Sequence, residues 1–138
     1  MPDTPEDLWG AEFPESQEDS IPVTLLKQQA QALERRTKGR IVGVVTQAAE
    51  GETVWASLYA RVPALQNYTQ KILTIAHPVS ADPTTPFPLE AVYSPDGAKE
   101  TIENRAQLHD WLKAILSSEG VHRMIGNLLR YSRDRAAS

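Results

Sequence analysis

Between Thr53 and Val62 the chain alternates without a break. Val54, Ala56, Leu58, Ala60 and Val62 fall on one side, and Thr53, Trp55, Ser57, Tyr59 and Arg61 on the other. A repeat of two is the period of a β-strand, so this segment predicts a strand with one buried face. Its apolar side is narrow, because Ala56 and Ala60 carry little bulk and let a helix approach closely. Helices are therefore expected over that side, which leaves Trp55, Ser57, Tyr59 and Arg61 on an open one.

The neighbouring segments supply the rest of a sheet. Ile41 to Thr46 is apolar and β-branched, as a central strand should be. Glu50-Gly51 marks the turn into Thr53, and Pro63 to Asn67 marks a second reversal before a third strand, Tyr68 to His77. Pro78, Pro83, Pro86 and Pro88 make residues 78–88 a loop or an edge crossing. Leu89 to Tyr93 reads as a fourth strand. Ser94-Pro95-Asp96-Gly97 then gives a strong turn, and Lys99 to Glu103 is a candidate last extended piece.

Helical periodicity frames these strands. Ser20 or Thr24 can cap a helix beginning near Pro22, where proline is tolerated in a first turn. Leu26, Ala30, Leu33 and Thr37 form its stripe, and Gly39 stops it. Asn104 followed by Gln107 has the form of a capping box. The helix it starts buries Leu108, Trp111, Leu112 and Ile115. Ser118 can cap a final helix carrying Val121, Met124, Ile125, Leu128 and Leu129 inward and Arg123, Arg130 and Arg133 outward. The expected fold is α+β: a two-layer antiparallel sheet of about four to five strands with helices on one face, in the order α-β-β-β-β-α-α.

Charge divides the chain in two. Residues 1–20 hold Asp3, Glu6, Asp7, Glu12, Glu15, Glu18 and Asp19 with no Lys or Arg, whereas the remainder is mildly basic within a total of −4. With Pro2, Pro5, Gly10 and Pro14 and no apolar period, residues 1–20 are expected to be a flexible acidic tail, followed by one domain over 21–138. Leu8, Trp9 and Phe13 are its exceptions. They would share a face if the segment became helical on a partner, or else pack loosely on the domain.

The chain has no cysteine, which excludes disulfides and thiolate chemistry and fits a reducing compartment. No apolar run approaches the roughly 20 residues of a membrane span, and no signal-peptide order opens the sequence. A cytoplasmic, bacterial protein without a membrane partner is the expectation.

The search for chemistry yields little. No phosphate-binding glycine loop, GxSxG turn or HExxH pair occurs. His77, His109 and His122 show no ligand spacing, so no cofactor, metal or catalytic residue is assigned; a hydrolase or isomerase site would need His77 to meet Glu90 in space. Interaction residues are more evident. Trp55, Tyr59 and Arg61 place types enriched in interfaces along one strand face, with Trp55 and Tyr59 about 13–14 Å apart at strand rise; the alternatives are a row covered by the tail or the Pro-rich loop, a second small core, or a surface for base stacking. Arg35, Arg36, Lys38 and Arg40 are the densest basic cluster: either a solvated helix end, or a patch for phosphates, an acidic partner or the acidic tail. The leading expectation is a non-enzymatic accessory domain, chaperone-like or immunity-like, that binds a protein partner or itself through the open sheet face. The alternative is a nucleic-acid binder restrained by its own tail.

Overall fold

The computed structural model describes Leu8, Gly10 and residues 19–137. Along them run α1 (Ile21–Arg36), β1 (Val42–Glu50), β2 (Thr53–Val62), β3 (Tyr68–Pro78), β4 (Leu89–Tyr93), β5 (Ala98–Ile102), α2 (Arg105–Leu116) and α3 (Glu119–Ala137). The strands form one antiparallel sheet in the order β1-β2-β3-β4-β5, each paired with its neighbour in sequence. Three of the four connections are two to five residues long and the fourth, between β3 and β4, is the proline-rich loop 79–88; in every case adjacency along the chain becomes adjacency in the sheet. The fold is α+β as the periodicities imply, with five strands instead of the four in the expected element order. The extra strand is the extended piece after Gly97. Its charged composition, Ala-Lys-Glu-Thr-Ile, carries a weak strand signal and depends on β4 for pairing.

Side-chain parity assigns the two faces. Ala56, Leu58, Ala60 and Val62 are buried, together with Ile75, Leu89, Ala91 and Ile102 from the other strands. They meet Leu26 and Ala30 of α1, Leu108, Trp111 and Leu112 of α2, and Val121 and Leu128 of α3 in one core. Between Leu58 and Tyr59 the β2–β3 register shifts by one residue, so that Ile72 and Leu73 are both buried opposite Leu58.

The caps follow sequence signals with two adjustments. Ser20 accepts from Val23 N–H at the start of α1, and Asn104 from Gln107 N–H at the start of α2. Gln107 Oε1 returns the capping-box bond to Glu103 N–H at 2.8 Å, one residue before the cap. Thr37, expected within the first helical stripe, is instead the residue that closes α1. Its hydroxyl bonds Leu33 O at 2.9 Å and lies 3.0 Å from Ile41 O, and it accepts from Ile41 N–H, which ties the helix end to the start of β1.

The closest approach at any described glycine lies next along the chain. A Cβ placed on Gly43 would come within 2.4 Å of the Ala30 Cα and 2.6 Å of the Ala30 Cβ and O. Glycine opposite alanine is what lets α1 lie directly on β1. The covering is partial: Gln47 and Ala49, further along the same side of β1, are exposed.

The two sheet edges differ. β1 pairs with β2 through nine uninterrupted positions and carries no charge from Val42 to Ala49. β5 is five residues long and presents Lys99 and Glu100. Short, charged edges resist further strand addition, and long uncharged ones do not. No helix among the described residues is long and apolar enough to cross a membrane.

Because the obstruction at Gly43 is backbone as well as side chain, Gly43→Ala is expected to displace α1. The cost should be on the order of 1–3 kcal/mol. A lower urea midpoint with an unchanged slope would register it, and an unchanged midpoint would show that α1 yields freely.

Candidate functional site

The face opposite the helices is built from alternate residues of every strand. Register places Val42, Val44, Thr46 and Ala48 of β1 beside Arg61, Tyr59, Ser57 and Trp55 of β2. Thr69, Lys71, Thr74 and Ala76 follow on β3, and Glu90 and Val92 on β4. The helices pack on the other face, with the core; on this one Trp55, Thr46 and Ala48 are exposed, while Ser57, Thr74 and Ala76 are buried. The proline-rich loop packs elsewhere: Pro83 O accepts from Ile21 N–H at the start of α1, and Pro86 is fully buried. Within that loop the Asp82 carboxyl is held below its ordinary value by hydrogen bonds from the Thr84 N–H and then the Thr84 hydroxyl.

Three features stand out on the open side. Trp55 is 37% exposed and lies in register between Ala48 and Ala76, so its indole rises above two small neighbours. Tyr59 is half-buried, with Lys71 Nζ 5.6 Å from its ring centroid. Arg61 is half-buried as well, and its Nε lies buried without a hydrogen-bond partner among the described residues. Between the aromatics, Ser57 and Thr74 are 7% and 8% exposed and share a 2.9 Å hydroxyl–hydroxyl bond. The face thus has an apolar centre over β1–β3 and charge at its β3–β5 margin, where Lys99 pairs with Glu90 at 3.5 Å.

Of the tail residues singled out by sequence, Leu8 is 82% exposed, while Trp9 and Phe13 lie outside the described residues. The basic cluster is dispersed. Arg40 reaches across to donate to Leu129 O of α3 at 2.6 Å. Lys38, with φ +54°, sits in the turn after α1, and Arg35 is exposed on the helix. Arg36 instead borders a cleft within the helix layer. His77 and Glu90 are not brought together: Glu90 pairs in register with Ala76, so the adjacent His77 leaves the sheet on the opposite face. His77 Nδ1 lies 2.9 Å from Pro78 O. Among the described residues no cluster of metal-ligating side chains occurs.

The cleft went unnoticed in the sequence because its walls come from distant segments. It separates α1 from α3, encloses about 320 Å³, and is floored by Leu58 and Ile72. Gln29, Leu33 and Arg36 line it from α1, and His122, Ile125, Gly126 and Leu129 from α3. A second hollow of about 310 Å³ shares Gln29, Arg36, Leu116 and His122 and extends towards Lys113 and His109 of α2. A glycine in mid-helix, at Gly126, was the one local signal of it.

Comparison with protein-family models, curated proteins and solved structures finds no match to this chain.

Removing one hydroxyl of the buried Ser57–Thr74 pair leaves the other without a partner. Ser57→Ala is therefore expected to cost about 1 kcal/mol, and Ser57→Ala with Thr74→Val appreciably less than the sum of the single changes. Chemical denaturation of the three variants checks this, and strict additivity would argue that water already serves both groups.

Proposed function

We propose that this protein is a non-enzymatic interaction domain that self-associates through the helix-free face of its sheet. The observation that carries the reading is Trp55, an exposed indole between two alanines near the β1–β2 hairpin end of the face turned away from the helices. Tryptophan is among the residues enriched at binding hot spots, because a large apolar area is ordered at the expense of few torsions. Val42, Val44 and Ala48 extend the apolar centre, and Lys71, Glu90 and Lys99 supply a polar margin, which is the anatomy of a protein interface.

Size and symmetry favour a second copy as the partner. Five strands span roughly 24 Å and β2 runs for roughly 33 Å. With β4 and β5 only five residues each, the footprint is on the order of 600 Å², near the ~800 Å² each partner contributes to a standard interface. A two-fold axis near Trp55 would oppose the same apolar patch from each copy and keep the charged margins at the periphery.

The test is sedimentation of the full chain beside a Trp55→Asp, Tyr59→Asp double variant. The parent is expected to sediment as a dimer at micromolar concentration. The variant should be a monomer with an unchanged far-ultraviolet spectrum, since neither side chain belongs to the core. A monomeric parent, or a variant that keeps the dimer mass, would refute the reading.

A further inference from the structure

The cleft between α1 and α3 lies in the helix layer, on the other side of the sheet from the surface just discussed. Each helix turns one stripe towards it. Gln29, Ala32, Leu33 and Arg36 follow the spacing i, i+3, i+4, i+7 on α1, and His122, Ile125, Gly126 and Leu129 follow the same spacing on α3. The floor is the apolar Leu58 and Ile72 of the sheet.

Two independent observations distinguish this space from a packing defect. The first is Gly126. Glycine inside a helix costs about 1 kcal/mol relative to alanine. Here no turn or positive φ calls for it, and a Cβ at this position would meet nothing within 4 Å. Its missing side chain keeps the cleft open at a point where a larger residue would fit and would make a better helix. The second is charge. Arg36 and His122 stand at the cleft, Lys113 and His109 line the adjoining hollow, and no acidic side chain lines either. Among the described residues, the side chains of Arg36 and His122 make no hydrogen bond or ion pair.

An apolar trough with an unpartnered guanidinium and an imidazole at one side matches a ligand with an apolar body and one negative head. Its volume falls at the small end of the range for small-molecule sites, about 300–1,000 Å³. We infer that the α1–α3 cleft is a binding site for a small amphiphilic organic acid, its hydrocarbon part over Leu58, Ile72 and Ile125 and its carboxylate against Arg36 and His122. The guanidinium supplies a forked, charge-assisted pair of donors to the carboxylate, and a ring N–H of His122 can add one more.

Decanoate, below its micellar range, is the probe, with decyltrimethylammonium as a control of equal apolar length and opposite charge. Calorimetric titration of the full chain is expected to show saturable, one-to-one binding of decanoate and none of the cation. Gly126→Leu should abolish binding while melting no lower than the parent, because it fills open space and improves the helix. Arg36→Glu, a change at an exposed position, should weaken decanoate by more than about tenfold, the loss of a charge-assisted hydrogen bond being the smallest part of the effect. The inference fails if the cation binds as well as the anion, if decanoate does not saturate, or if both variants bind like the parent. Should Gly126→Leu fold poorly, Arg36→Glu decides alone. Neither result depends on whether the sheet face self-associates, which sedimentation reads separately.

Discussion

Much of this architecture rests on a missing methyl group. With hydrogen at Gly43, the backbone of α1 at Ala30 sits against β1 at a separation that no other residue would permit. That contact fixes the height of the first helix over the sheet. The Thr37 hydroxyl, bonded to both Leu33 O and Ile41 N–H, fixes its end. With α1 so placed, Leu26 and Ala30 reach the small residues of β2 and the core closes. Arg40, immediately after the turn, reaches Leu129 O and holds the third helix in position relative to the first. The width of the cleft follows from these few short-range contacts.

The periodic features of the fold were legible in the chain, and features that depend on pairing or on distant segments were not. Alternation over Thr53–Val62 identified β2 and its buried side because every second residue is apolar, and Ser20 and Asn104 are caps by local chemistry. β1 runs on to Glu50, past the apolar stretch ending at Thr46, because a two-residue hairpin at Gly51-Glu52 holds Gln47, Ala48 and Ala49 against β2. Nothing in those three residues demands a strand. Thr37 fitted a helical stripe by spacing, but its hydroxyl found better partners as a terminus. For the candidate surfaces the same division holds. The Trp55, Tyr59 and Arg61 row follows from parity alone. The separation of Arg36 from Arg40 depends on the turn at Lys38-Gly39, and the encounter of Arg36 with His122 on the packing of helices from opposite ends of the chain. A single sequence carries no local trace of such a meeting.

The two sides of the sheet are chemically unlike, and that difference shapes what each can do. The helix side spends its small residues, Gly43, Ala56 and Ala60, on close approach, and what remains unfilled is a narrow trough with cationic residues beside it. The open side uses its small residues, Ala48 and Ala76, to expose one large aromatic. Small side chains thus serve close helix packing on one face and the display of an aromatic on the other.

The unequal edges of the sheet bear on how large any assembly built on it can grow. Among the described residues, β5 ends the sheet with a short, charged strand, and β1 ends it with a long one whose only charge is the terminal Glu50. Strand addition therefore has a single direction open to it. A second copy adding its own β1 would use up both receptive edges in one event and leave only the two charged ones facing solvent. Sheet extension through β1 would on this ground stop at a pair, with Lys99 and Glu100 on each outer edge, at the far side of the sheet from where growth would begin.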